Sequence, residues 1–297
     1  MFMVSGKVVN AMTVDVEDYF HVSGFSRYVE QANWEKYECR VEANTRKLLE
    51  LFDKYDVRAT FFVLGWVAER FPNLVREIAK LGHEIACHGY SHKLIYEQTP
   101  DEFRRETVKA KTILEDIIQD SVLGYRAASY SIVNSSLWAL DILVECGFSY
   151  DSSIFPIHHD RYGISNAELF PHKLTTPSGH KLIEFPLSTV RFLATNVPIA
   201  GGGYFRLFPY HVTKTGLAHI NRRNRPFIFY LHPWEVDPDQ PRVAANWKSR
   251  FRHYNNLNKC EKRLEKLVSE FTFSTAQHVL SNQGLLDTSS DKLAFVS

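Results

Sequence analysis

The 297-residue chain is poor in cysteine. Its four, Cys39, Cys87, Cys146 and Cys260, lie far apart and form no CxxC pair, which argues against a disulfide framework and a cysteine-based zinc site. Cys87 and Cys146 lie in apolar surroundings and read as reduced core residues. A charge imbalance is lacking too. Lys and Arg number 35 against 34 Asp and Glu, so bulk charge selects neither nucleic acid nor an acidic membrane surface. No run of about 18 apolar residues is present to span a bilayer. The opening Met1-Phe2-Met3-Val4-Ser5-Gly6-Lys7 lacks the basic-then-apolar plan of a signal peptide, and the expectation is a cytoplasmic protein. Internal repeats, low-complexity tracts and linkers are likewise missing. So is the zincin HExxH: three residues separate Glu84 from His88.

What is present is a core. Hydrophobic residues make up 44% and charged residues 23%, ordinary for a soluble enzyme. Aromatics reach 13%; they can line a sugar cleft but more often fill an interior. Extended and helical patterns alternate along the chain. Val8–Val14 reads as a buried strand, 44–55 as a helix capped by Asn44 or Thr45, Val57–Leu64 as a strand and Pro72–Leu81 as a helix stopped by Gly82. Glu84–Cys87 is extended. Thr99-Pro100-Asp101-Glu102 opens a helix to about Gln119, with a cap, a first-turn proline and acids at the positive end of the dipole. Val122–Tyr125, a helix from Ser135 or Ser136 to Gly147, and Phe148–Tyr150 follow. Leu182–Phe185 and Phe227–Leu231 are later strands, Glu261–Phe271 a last helix and Phe271–Thr275 a terminal strand. Repeated β-then-α implies a largely parallel sheet, open or closed into a barrel, with chemistry at the carboxyl ends of the strands. Residues 152–180 and 233–258 break the pattern and read as long loops over that end.

Five strand ends carry reactive side chains. The first is Asp15-Val16-Glu17-Asp18, whose three carboxylates cannot all ionise cheaply unless a cation or a held proton relieves them; the alternative is a solvated acidic loop. The second is His88-Gly89-Tyr90-Ser91-His92. If one helical turn follows the strand, its i,i+4 spacing points both imidazoles one way, and imidazole suits zinc and other transition metals. Alone, this pair is more often structural. Joined to an acid it makes a two-His, one-carboxylate set with positions left open for water and substrate. The third is Arg126, able to hold a carboxylate by two hydrogen bonds. The fourth is Asp151, otherwise a turn residue. The fifth is His232, where a strongly apolar strand meets Pro233; its alternative is a satisfied core histidine.

In order and spacing these stretches resemble the five motifs of the polysaccharide deacetylases, the NodB-homology or carbohydrate esterase family 4 group, over about residues 8–235. Gly201–Arg206, Leu231–Pro238 and Phe251–Asn255, with the opening Asp-Val-Glu-Asp-Tyr-Phe, resemble the subgroup associated with bacterial exopolysaccharide loci of the PEP-CTERM type. The resemblance implies a distorted (β/α)7-type barrel as one catalytic domain over 1–280, followed by a polar tail at 281–297. It implies a divalent cation, zinc first, with cobalt, nickel or manganese as alternatives. His88 and His92 would be ligands with Asp18, or with Glu17 in its place; Asp18 is slightly preferred because its shorter side chain is the commoner ligand type in that family.

Asp15 would be the general base on the attacking water, oriented by Arg126, and Asp151 would hold His232, the general acid for the leaving amine. Ser129, Tyr130, Trp234 and Gly202 are the candidate substrate contacts, with core packing as the alternative for Trp234 and a flexible turn for Gly202. His21 is either a substrate contact or an incidental loop residue. Ala128 and Ser129 stand where the family's third motif has proline and an aromatic. That departure leaves room for a catalytically weakened glycan-binding homologue beside the expected activity, hydrolysis of N-acetyl groups on a glycan or its precursor. A barrel glycosidase using Asp15 and Asp151 would leave His88 and His92 without a role.

Overall fold

A computed structural model describes residues 7–286. In chain order the strands are β1 (Val9–Val16), β2 (Thr60–Val63), β3 (Glu84–Cys87), β4 (Gly124–Tyr125), β5 (Tyr150–Asp151), β6 (His172–Thr175), β7 (Lys181–Glu184), β8 (Thr189–Phe192), β9 (Thr195–Pro198), β10 (Ile228–Leu231) and β11 (Thr272–Ser274). The helices are α1 (Val41–Lys54), α2 (Gly65–Arg70), α3 (Pro72–Lys80), α4 (Pro100–Ile118), α5 (Trp138–Glu145), α6 (Gly202–Leu207), α7 (Tyr210–Asn221), α8 (Trp247–Tyr254), α9 (Leu257–Glu270) and α10 (Ala276–Asn282). The main sheet runs β10-β1-β2-β3-β4-β5-β7-β6, and β11 also pairs with β1. Every pairing is parallel except that of β6 with β7. The result is a single α/β domain, as the alternation implies.

Side chains alternate across the strands, as the pleat requires. Met12, Val14 and Val16 of β1 and Phe61 and Val63 of β2 join the larger apolar cluster, which also takes in the buried faces of α1, α3 and α4. Ala11 and Phe62 fall in a second cluster with Ala86, Tyr130, Tyr150 and Tyr230. Thr13 and Asp15 share the parity of Ala11, so the strand's own period puts Asp15 on the face of that second cluster.

Closure differs from a regular barrel. No continuous ladder joins β7 to β10 among the described residues. The segment between them crosses the gap instead, with Ile228 N–H donating to Ser188 Oγ at 2.9 Å and Tyr230 N–H to the Ala200 carbonyl at 2.8 Å. Gly201, at φ 135°, makes this approach possible: a Cβ there would lie 1.9 Å from the Tyr230 carbonyl oxygen.

Two local expectations change. Helix α1 starts at Val41, and neither Asn44 nor Thr45 caps it; the Asp18 carboxylate accepts from the N–H groups of Arg40 at 2.6 Å and Val41 at 2.8 Å. The stretches expected to be loops contain β6 and α8, and the β8–β9 hairpin, α6 and α7 carried no clear sequence signal. Thr99 and Glu102 form the expected capping box of α4. At the other end Leu286 is buried, while 287–297 of the expected tail and the first six residues lie outside the described part. No described helix is long and apolar enough to cross a membrane.

Candidate active site

Strand β1 ends on Val16, and the chain turns at once, with Glu17 N–H donating back to the Asp15 carbonyl at 3.0 Å. The three acids therefore part company. Asp15 is buried and receives Arg126 Nη1 on Oδ1 at 2.6 Å, with the Tyr130 hydroxyl 3.3 Å from Oδ2. Arg126 is itself fixed: Nη1 also donates to Thr13 Oγ1 at 2.8 Å, Nη2 to Ser152 Oγ at 2.9 Å and Nε to the Ser152 carbonyl at 3.2 Å, and the guanidinium carbon lies 4.0 Å from the centre of the Phe62 ring. Neither side chain is exposed, and these hydrogen bonds hold Asp15 in one orientation.

Glu17, not Asp18, meets the two histidines. Glu17, His88 and His92 each bring a ligand atom within 4.8 Å of the others. Glu17 Oε2 is 2.7 Å from His92 Nε2, and Trp234 Nε1 donates to Oε1 at 3.1 Å. Asp18 turns the other way. Besides Arg40 and Val41, it accepts from Tyr19 N–H at 2.9 Å, so its lone pairs are taken by backbone donors. The expectation for Asp18 rested on side-chain length; the turn after Val16 decides otherwise.

The histidines converge without the expected helical turn. Gly89 at φ 73° and His92 at φ 53° bend the segment after β3, which brings the ring centres to 5.4 Å. His88 Nδ1 is paired with the Arg126 carbonyl at 2.8 Å, leaving Nε2 to face the cluster, the usual way a backbone carbonyl orients a ligating imidazole. Burial pushes the His88 imidazole down to about 4, so it is neutral at pH 7, the form that binds a cation. Burial alone would raise Glu17, but the His92 and His232 imidazoles outweigh it and hold the carboxyl well below its usual range.

An ionised carboxylate among imidazoles, with His92 Nδ1 buried and lacking a hydrogen-bond partner among the described residues, fits a divalent cation by donor chemistry. His21 stays outside the set. Its Nδ1 accepts from Asp18 N–H at 2.9 Å and its ring packs between Trp34 and Trp66 at 4.3 and 4.9 Å.

His232 faces the same space, with Nε2 3.6 Å from Glu17 Oε1 and 3.9 Å from Asp15 Oδ2. Its side chain is 17% exposed, the most open of this group. Asp151 does not hold it. Asp151 accepts from the Ser153 hydroxyl at 2.6 Å and lies beside Glu184 on the adjacent strand. Burial pushes Asp151 up to about 6, and burial together with the Asp151 charge pushes Glu184 well above the carboxylate range. Such a pair shares a proton. Its structural work is to shape 152–154, which carries the acceptors of Arg126. Glu235, which the motif reading passed over, takes the place expected of Asp151: its Oε1 is 2.8 Å from His232 Nδ1. The signal was available as His232-Pro233-Trp234-Glu235, an acid three residues after the histidine across one tight turn.

The expected substrate contacts divide. Trp234 is buried, stacked on His232 at 5.0 Å and on His253 at 4.1 Å, and hydrogen-bonded to Glu17; it is a supporting core residue with no free face for a sugar. Gly202, at φ 54°, packs where a Cβ would lie 2.5 Å from the Tyr230 ring, so its small size serves packing. Ser129 is half-buried and its hydroxyl pairs with that of Ser23 at 2.8 Å. Ser129 and Tyr130 both have left-handed backbones, at φ 51° and 55°, which is uncommon for such residues and typical of strained functional segments. The aromatic absent at position 129 is present at 130, with its hydroxyl on Asp15.

The profile described as polysaccharide deacetylase matches residues 34–150, and one described as a domain of unknown function, DUF3473, matches 152–281. Asp15 and Glu17 precede the first match and His232 falls in the second. A peptidoglycan-N-acetylglucosamine deacetylase of Bacillus cereus is 44% identical over 151 residues, covering 46% of this chain and 52% of the relative. The chain spans about half or less of the length of the first curated relatives it matches. A provisionally assigned polysaccharide deacetylase from Mycobacterium smegmatis superposes with a TM-score of 0.61 at 18% identity, over 95% of this chain and 94% of that one. Puue allantoinase gives 0.61 at 14% identity, over 96% and 94%. Likeness at this identity shows the fold, and a fold carrying both names does not choose between reactions.

Proposed function

We propose that this protein, whose residues 34–150 match the polysaccharide deacetylase profile, hydrolyses N-acetyl groups on a glycan or glycan precursor, giving acetate and a free amino sugar. The observation that carries the reading is convergence: His232 Nε2 faces both Asp15 Oδ2 at 3.9 Å and Glu17 Oε1 at 3.6 Å. Base, cation pocket and acid therefore share one space.

An amide needs a strong nucleophile, a held oxyanion and a protonated leaving group. Arg126 occupies Asp15 Oδ1 and leaves Oδ2 to accept the proton of the attacking water. His232 Nε2 gives a proton to the departing nitrogen as the C–N bond breaks. A backbone N–H of the Ala128–Tyr130 turn is the candidate donor to the oxyanion; such a donor needs no particular side chain, so Ala128 and Ser129 do not remove it. Glu17, His88 and His92 would hold a divalent cation, zinc first, which when bound supplies Lewis-acid polarisation and acidifies water. Ser129 and Tyr130 border the acetyl group. The resemblance of the Gly201–Arg206, Leu231–Pro238 and Phe251–Asn255 stretches to the subgroup of exopolysaccharide loci supports an exopolysaccharide or its precursor as the substrate.

The test is acetate release from N-acetylglucosamine oligomers, peptidoglycan fragments and nucleotide- or lipid-linked N-acetyl sugars. Release should stop with a chelator, return with added zinc and be absent in Asp15→Asn. If the zinc-loaded protein releases acetate from none of them, the reading is wrong.

A further inference from the structure

We propose that Glu235, anchored by Arg206, is the positioning residue for His232, and that region 152–281 thereby supplies the acid half of the site together with its orienting pair. The inference rests on the deacetylase reading. It assigns a task to a region whose matched description carries none.

Glu235 has no exposed surface. Its Oε1 accepts from the His232 backbone N–H at 3.1 Å and lies 2.8 Å from His232 Nδ1, while Oε2 accepts from Arg206 Nε at 2.6 Å. Arg206 is 2% exposed and three of its four other N–H groups are held by backbone: Nη1 donates to the carbonyls of His253 at 2.6 Å and Asn255 at 3.0 Å, Nη2 to that of Arg252 at 3.2 Å. The guanidinium is thus tied to three backbone carbonyls, and it fixes the carboxylate in turn.

An imidazole whose Nδ1–H is held by a carboxylate presents Nε2 as the atom that gains and loses a proton. Flipping the ring would set a carbon against Glu235. Trp234 closes the arrangement by stacking nearly parallel to the imidazole, at 16°. The single turn Pro233–Val236 makes the geometry local: it returns Glu235 over His232 three residues later, with proline fixing the first step. Asp151, on the far side of Arg126, contributes nothing to this orientation.

His232 protonates the leaving nitrogen, so its aim matters for a poor leaving group and little for one that departs as a stable anion. Two substrates separate the cases: an N-acetyl amino sugar, whose amine must be protonated, and an activated aryl acetate, whose phenolate leaves unaided. For Glu235→Gln on the zinc-loaded full chain, kcat on the amide should fall about 10²–10³-fold, with KM within about 3-fold and the aryl ester within about 3-fold of wild type. Glu235→Asp should recover part of the amide rate. Calorimetric titration with zinc alone should be unchanged. Equal losses on both substrates, or an unaltered amide rate, would overturn the proposal.

Should Glu235→Gln fail to fold, ¹⁵N imidazole spectra of the wild type, assigned with His232→Ala, give a second readout. A His232 Nδ1 that carries no proton defeats the idea. A wild type that cleaves only the aryl ester refutes the deacetylase reading itself. A wild type active on the amide whose variants keep that rate refutes the positioning role alone.

Discussion

The exchange of Asp18 for Glu17 at the cation pocket can be tested as a crossover between stability and metal affinity. Asp18→Asn keeps the side-chain shape but replaces an accepting oxygen by a donor. Three backbone N–H groups point at this carboxylate, from Tyr19, Arg40 and Val41. Either rotamer of Asn sets its amide against at least one of them. A hydrogen bond to a charged group is worth about 1.5–3 kcal/mol, so the loss of one or two should cost roughly 2–4 kcal/mol, or about 3–6 °C in Tm for a chain of this size. Burial pushes the Asp18 carboxyl up to about 6; at pH 8 it is ionised, and the full difference is read there. Zinc affinity should not move.

Glu17→Gln should do the reverse. It removes a charge that lies 2.7 Å from His92 Nε2 while filling the same volume. Outer partners of a metal site are worth 10–100-fold in affinity, so a direct ligand should cost at least about 100-fold, near 2.7 kcal/mol, and the metal-free protein should melt within a few degrees of wild type. Differential scanning calorimetry without metal and chelator-competition titration with zinc read the two effects separately. A folded Asp18→Asn that loses zinc, or a Glu17→Gln that binds it as wild type does, would refute the assignment.

Other expectations follow from the same geometry. Trp234→Phe keeps the ring stack but deletes the indole N–H on Glu17, and zinc affinity in the same titration should fall about 10-fold or more. Asp151 and Glu184 both have folded-state pKa values above their unfolded ones. The folded protein therefore keeps protons that the unfolded chain releases from about pH 4 upward, and stability declines as pH rises through about 6. Asp151→Asn should lessen that decline, raising Tm relative to wild type at pH 8 more than at pH 5, and should leave the amide-to-ester rate ratio near that of wild type. Gly202→Ala must place a Cβ 2.5 Å from the Tyr230 ring in a left-handed backbone; denaturant unfolding should show a loss of about 2–4 kcal/mol.

Much of the frame was legible because its signals are periodic or local. Glu84–Cys87 reads as the strand it is, and Thr99 with Glu102 announces the start of α4. The positions of His88, His92, Arg126 and His232 followed from apolar runs that end on polar residues. What could not be read depends on where the chain turns and on partners distant in sequence. Glu17 and Asp18 are adjacent, and only the bend after Val16 sends one to the histidines and the other to the first N–H groups of α1. The cap of that helix lies more than twenty residues upstream, beyond any local window. Asp151 stands at a strand end as the motif order suggests, yet the register of β5 with β7 sets it against Glu184. Trp234 and Gly202 have compositions that suit a sugar site; their burial against His253 and Tyr230 reverses that reading.

The place of β1 at the crossing of the sheet has a consequence for how the chain assembles. Its Ala11–Val14 segment pairs with β10, Val9–Ala11 with β11, and Thr13–Val16 with β2. β1 leaves the ribosome before its partners, and two of the three follow more than two hundred residues later. At synthesis rates of about 5–20 residues per second, the strand that carries Asp15 waits some ten seconds or more with one edge unsatisfied. Non-local parallel pairing is slow even once the chain is complete, and an open apolar edge invites association with other chains. Yield should therefore depend on chaperone supply and growth temperature, and chains cut short before β10 should accumulate as aggregates.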